Sequence, residues 1–216
     1  MNANPLVLCL TNTVAANFTA NCLLAVGAKP AMIEEPCEAE ELAASSDAML
    51  VNLGTVTTRQ AEAMRRAIGV VKTRGVPWVL DPVGVQFLSF RRELAREFVA
   101  LGPSLIRCNG PEAGALGETG CVTLVTGEVD VIRRSDDPEK RTIRGGTPLL
   151  QFVTATGCAQ GAICAAFLGK GMSPDEAALA ASRLMKRAGE RAAERASEPG
   201  SFAACLIDAL WELSHD

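Results

Sequence analysis

The chain has a single histidine, His215, one residue from its end, and none of its eight cysteines stands at C-x-x-C spacing from another. A zinc site needs several such ligands converging, so these scarcities argue against one. Positive charge is short as well. The net charge of −4 argues against a nucleic-acid partner. Arg183, Lys186, Arg187, Arg191 and Arg195 do gather, but Glu190 and Glu194 interleave with them. That mixture predicts a solvated helix face rather than a stripe that tracks phosphates. No apolar run is long enough to span a bilayer, so no membrane partner is expected. The apolar stretch before Ala28 lacks a basic start and is interrupted by Thr11, Asn12, Thr13, Asn17 and Asn21, unlike a secretion signal. A cytoplasmic protein with reduced thiols is the resulting expectation. No G-x-G-x-x-G follows the first apolar run, which disfavours a dinucleotide-dependent dehydrogenase. Repeats, low-complexity tracts and linkers are missing too, so residues 1–216 read as one domain. Its hydrophobic fraction of 48% suits a core that needs neither disulfides nor metal.

What is present is an alternation of short apolar runs with amphipathic helical patterns. Residues 6–10, 30–33, 48–53, 76–80 and 105–107 read as strands. A helical run through Phe18, Leu23 and Leu24 closes at Gly27. Thr57 and Gln60, at capping-box spacing, open another with the stripe Met64, Ala67, Ile68 and Val71; Gly75 and Pro77 end it. Leu94, Phe98 and Leu101 mark a third, stopped by Gly102-Pro103. Strands apolar on both faces and separated by helices imply a parallel sheet covered on each side, an α/β fold. Such sheets bind ligands at the strands' carboxyl ends, where Asn12, Asn52, Asp81, Asn109 and Glu112 stand. Residues 122–125 and 129–132 flank Thr126-Gly127-Glu128, predicting an antiparallel edge hairpin. Residues 133–147 read as an exposed excursion. Ser173-Pro174-Asp175-Glu176 opens a helix towards Arg195, and residues 197–201 break the chain before a last helix through Leu206, Leu210 and Leu213.

Residues 153–162, Val-Thr-Ala-Thr-Gly-Cys-Ala-Gln-Gly-Ala, form a small-residue loop running into an apolar helix. A helix start leaves backbone N–H groups unpaired and partly positive, so an anion, a phosphate above all, is stabilised there. The same field lowers the pKa of a cysteine in the first turn. Cys158 is therefore the candidate for a chemically active side chain, against the plainer reading of a small apolar packing residue.

In order along the chain, Leu10-Thr11-Asn12, Asn17-Phe18-Thr19-Ala20-Asn21, Pro30-Ala31-Met32, Asn52-Leu53-Gly54-Thr55, Leu80-Asp81-Pro82-Val83-Gly84, Ile106-Arg107, Asn109, Glu112, Val125-Thr126-Gly127-Glu128-Val129-Asp130 and Thr156-Gly157-Cys158-Ala159 resemble the hydroxyethylthiazole kinase family. The resemblance covers nearly the whole chain. It implies a ribokinase-like fold, a homotrimer, and ATP- and Mg²⁺-dependent phosphorylation of hydroxyethylthiazole in thiamine salvage. It also implies that Asn12, Met32, Gly54, Thr55 and Ala155 line the thiazole site. Arg107, Thr126 and Asn109 would bind ATP, Asp81 and Glu112 would organise Mg²⁺, and Thr156, Gly157 and Cys158 would cradle the migrating phosphoryl group.

Three positions depart from the family pattern: Leu8 replaces His, Ala155 replaces Gly, and the segment between Leu116 and Cys121 is short. If residue 155 needs positive φ, alanine costs about 1–2 kcal/mol there. The departures keep open a non-catalytic relative that binds thiazole or nucleotide, and a same-fold kinase of another small alcohol such as hydroxymethylpyrimidine.

Overall fold

A computed structural model describes residues 4–134 and 140–215. Its centre is an eight-stranded sheet. The strands are β1 (Leu6–Leu10), β2 (Lys29–Met32), β3 (Ala48–Asn52), β4 (Trp78–Asp81), β5 (Leu105–Asn109), β6 (Val122–Thr126), β7 (Asp130–Arg133) and β8 (Arg141–Ile143). Their spatial order is β2-β1-β3-β4-β5-β6-β7-β8. From β2 to β6 all pairings are parallel, whereas β6–β7 and β7–β8 are antiparallel. The expected parallel sheet with an antiparallel edge is thus present, and β8 extends that edge inside a segment that reads as mere excursion. Part of that excursion, residues 135–139, lies outside the described residues.

Alternation along the strands divides the core in two. Leu8, Leu10, Met49, Val51, Leu80 and Ile106 face one side, under α2 (Pro36–Ala43), α3 (Thr58–Arg74), α4 (Ser89–Ala100) and α5 (Gly110–Leu116). Val7, Cys9, Leu50, Val79, Leu105 and Leu124 face the other, under α1 (Ala16–Ala25), α6 (Thr156–Gly169), α7 (Pro174–Ala193) and α8 (Pro199–His215). Each aliphatic side chain so enclosed contributes about 1.5–3 kcal/mol by leaving water. Both capping boxes expected from sequence are formed, Thr57 with Gln60 and Ser173 with Glu176.

Helix α6 is the innermost helix. It is apolar all round because it lies between the sheet and its neighbouring helices, with residues 159–166 all buried. Three sequence readings need correction. α2 was not anticipated: it is a single short helix burying little more than Ala39 and Ala43 beyond its leading proline, too few positions to make a periodic signal. α8 starts at Pro199, inside the segment expected to break the chain, because proline suits a first helical turn. Lys186 does not belong to a solvated face. It is only 6% exposed, turned inward by its place on the buried stripe of α7 with Ser182, Met185 and Gly189.

Candidate active site

Strand alternation also decides what lies beneath the start of α6. Leu50, Val79, Leu105 and Leu124 pack on the α6 face of the sheet. Two residues further along each strand, and so on the same face, come Asn52, Asp81, Arg107 and Thr126. Asn52 and Asp81 are direct neighbours in the β3–β4 register.

Polar contacts join these ends in a row. Asn12 Nδ2 donates to Asn52 Oδ1 at 2.9 Å and approaches Cys158 Sγ at 3.6 Å. Asn52 Nδ2 donates to Asp81 Oδ2 at 2.8 Å. Asp81 Oδ1 lies 3.8 Å from Arg107 Nη1. Arg107 Nη2 donates to Thr126 Oγ1 at 2.6 Å, and the Thr126 hydroxyl donates to the Cys108 carbonyl at 3.2 Å. A charge row of this kind, buried under one helix end, is fixed by packing on one side and by strand register on the other.

Over the row sits the amino terminus of α6. Ala155 caps it in the left-handed region, φ 75° and ψ 0°, the conformation that makes alanine costly there. The first helical hydrogen bond runs from Ala159 N–H to the Ala155 carbonyl at 2.8 Å. The amides of Thr156, Gly157 and Cys158 therefore precede the ladder and have no partner within the helix. The Thr156 hydroxyl is committed elsewhere, donating to the carbonyls of Leu150 and Val153. Gly157 has no room for a side chain: a Cβ would meet both terminal guanidinium nitrogens of Arg107 at 2.5 Å. The cation thus lies against Gly157, in the middle of the stretch with unpaired amides. Gly54 is fixed in the same way, since its Cβ would stand 2.5 Å from Asn12 Nδ2.

Two titrations follow from burial. Asp81 is fully enclosed, and desolvation raises its carboxyl to about 7, with the Glu112 charge adding to the rise and Arg107 and Asn52 opposing it. Burial likewise raises the Cys158 thiol, to about 11, aided by the Asp81 charge. The helix-start field expected to favour a thiolate is outweighed. Cys158 is a neutral thiol near pH 7, a correction to the sequence reading.

Asp81 Oδ1 has no hydrogen-bond partner although it is buried. Glu112 Oε1 accepts from Gly84 N–H at 3.0 Å and its Oε2 from Asn109 N–H at 2.9 Å, in a capping box with Asn109 that starts α5. These hard oxygens, one unpartnered, suit a small divalent cation that keeps water and phosphate ligands. Among the described residues no three His, Cys, Asp or Glu side chains converge on one point.

A cavity of about 880 Å³ opens from this row towards the sheet's antiparallel edge. Arg107, Thr126, Gly127, Gly145, Gly157 and Lys186 are among the residues that line it. Asn109, expected at the nucleotide, does not line it: its side chain caps α5 by accepting from Glu112 N–H. On the other side of Cys158, Asn12 and Gly54 adjoin, while half-buried Met32 ends β2 and exposed Thr55 follows β3 with φ 44°. Asn52, placed at a strand's carboxyl end by the sequence but given no role there, bridges Asn12 to Asp81. Lys186 gave no signal of a site, because its neighbours in sequence are charged.

Similarity to known proteins follows the same outline. The model of the hydroxyethylthiazole kinase family matches residues 1–119 and 115–216, dividing where the β5–β6 connection is short. A hydroxyethylthiazole kinase of Cronobacter sakazakii is 44% identical over 95% of this chain and 87% of its own length. The solved hydroxyethylthiazole kinase of Pyrococcus horikoshii OT3 superposes with a TM-score of 0.92 at 34% identity, covering 97% of this chain and 88% of that one. A ribokinase-like superfamily protein from Enterococcus faecalis V583, 14% identical with a TM-score of 0.70 over 98% of this chain and 88% of its own, shares the fold. Parallel sheet and antiparallel edge agree with these matches, and the chain belongs to the hydroxyethylthiazole kinase family.

Proposed function

We propose that this protein transfers the terminal phosphoryl group of ATP to the primary alcohol of 4-methyl-5-(2-hydroxyethyl)thiazole, in thiamine salvage in the cytoplasm. The observation that carries the reading is the guanidinium of Arg107 packed against Gly157, in the stretch 156–158 whose amides have no partner within the helix. Such a cradle stabilises charge that gathers on a migrating phosphoryl group, usually the largest part of catalysis in phosphoryl transfer. The cavity beyond it takes the rest of the nucleotide, held by Arg107 and Thr126.

In this reading the thiazole lies on the opposite side of Cys158, among Asn12, Met32, Gly54, Thr55 and Ala155, near boundaries between copies of a homotrimer. The alcohol oxygen bonds to the terminal phosphorus as the bond to the ADP oxygen breaks, and the hydroxyl proton passes late to an oxygen of the transferred phosphoryl group and on to solvent. A late proton transfer needs no strong base, so a neutral Cys158 serves by contact and weak hydrogen bonding rather than as a thiolate. Asp81 and Glu112 would hold Mg²⁺, which supplies neutralisation of phosphate charge. Asn52 keeps the Asp81 carboxylate aimed, and Arg107 orients the phosphate through paired donors.

The test is ATP consumption with hydroxyethylthiazole as the added acceptor, set beside hydroxymethylpyrimidine in the same assay. Preference for the pyrimidine would reassign the acceptor. A second reading, binding without turnover, is favoured by strained Ala155 and the short connection after α5. Calorimetric binding of thiazole and nucleotide in a protein that consumes no ATP would establish it.

A further inference from the structure

Part of the cavity's wall is made by two loops that share no strand pairing with each other, the β6–β7 turn at Gly127-Glu128 and the loop at residues 144–147 after β8. One side chain joins them. Lys186 Nζ donates to the carbonyls of Gly127 at 3.3 Å, Glu128 at 3.0 Å and Gly145 at 3.1 Å. It also stands 3.4 Å from Asp130 Oδ1. An ammonium has three hydrogens, and here all are taken by walls of the cavity. Lys186 therefore has none to offer a phosphate, although it lines the space.

Neighbouring groups hold the same arrangement. Asp130 Oδ1 accepts from Gly127 N–H at 3.0 Å, and its Oδ2 accepts from Ser182 Oγ at 2.7 Å and Gln160 Nε2 at 3.3 Å. One turn along α7, Glu190 Oε1 accepts from Gly146 N–H at 2.7 Å. Both loop glycines have positive φ, and both are hemmed in by α7: a Cβ on Gly145 would meet Glu190 Oε1 at 2.6 Å, and one on Gly146 would meet Lys186 Cγ at 3.3 Å.

We propose that Lys186 is a positioning residue for nucleotide: its ammonium clasps the two loops together and so sets the width of the slot into which the nucleotide fits. This rests on the kinase reading only in naming the occupant. Rigid walls already in place lower the ordering cost of binding, so the clasp acts on nucleotide affinity more than on chemistry.

Lys186→Met alone leaves the buried Asp130 carboxylate without its cation, which can cost folding. Lys186→Met with Asp130→Asn removes both charges; the asparagine oxygen can still accept from Gly127 N–H, while its amide N–H groups need the Ser182 hydroxyl and a flipped Gln160 amide as acceptors. Calorimetry with ATP and Mg²⁺, without acceptor, is the direct measurement, on wild type and on the double variant after its cooperative unfolding has been verified. The expected result is a Kd for ATP raised about tenfold or more in the double variant, that is about 1.4 kcal/mol or more. In turnover the loss falls on KM for ATP, with KM for the alcohol unmoved. A folded double variant with wild-type ATP affinity, or one whose loss falls on kcat alone, overturns the proposal. Should the double variant fail to fold, Gly145→Ala, in one of the two loops and pressing on Glu190 of α7, must weaken ATP binding in its place, and unchanged affinity there overturns it equally. Wild type that binds ATP without turning over refutes the kinase reading and leaves the clasp standing.

Discussion

At the scale of single residues, Asp81 and Cys158 show how far burial moves ordinary side chains. Folding raises the Asp81 carboxyl from 3.8 to about 7. Between those values the folded state holds a proton that the unfolded state has lost, so this group's contribution to stability declines as pH rises through the window. Relative to wild type, Asp81→Asn should gain stability between pH 4 and pH 7. Denaturant midpoints measured across that range test the sign, and a difference that stays flat or runs the other way contradicts it. Cys158 leads to the opposite kind of expectation. A thiol raised to about 11 is not ionised at neutral pH, so Cys158→Ser should retain most of kcat and leave the pH–rate profile unchanged below pH 9. Arg107→Ala should lose most activity, since it removes the cation lying on the phosphate cradle. A dead serine variant beside a healthy Arg107→Ala enzyme would reverse these roles. Sequence alone named both residues as candidates and erred on the Cys158 titration. Helix-start fields are local and readable, whereas the enclosure that opposes them comes from distant strands.

At the scale of elements, the start of α6 carries the strain. Ala155 with φ 75° is an L-residue in a region that costs it about 1–2 kcal/mol, part of which glycine returns through a looser unfolded chain. Ala155→Gly should therefore stabilise the protein by about 1 kcal/mol, raising Tm by about 2–4 °C. Calorimetric melting checks this, and a lowered Tm would show that the methyl group's packing outweighs the strain. Gly157→Ala should do the reverse, displacing the Arg107 guanidinium and abolishing nucleotide binding. The strands, the capping boxes of α3 and α7, and the edge hairpin were all legible, because each is written in adjacent residues. α2 and β8 were not. The first is short with a small buried face, and the second is three residues that gain strand form only by pairing with β7.

At the scale of the whole molecule, five parallel-sheet strand ends and one helix start bring together residues as far apart in sequence as Asn12 and Cys158. Each such residue has a local explanation as a cap or turn, and it is their convergence that distinguishes a site. Lys186 was hidden because its partners belong to other elements. By the homotrimer reading, sedimentation equilibrium should return three times the 22.7 kDa chain mass, and a monomer at all concentrations would remove subunit boundaries from the thiazole site. The central claim is tested most directly by following ADP release from ATP and Mg²⁺ on addition of hydroxyethylthiazole. Release that depends on the thiazole and vanishes in Arg107→Ala is the predicted result, and nucleotide that stays intact with every small alcohol supplied would contradict it.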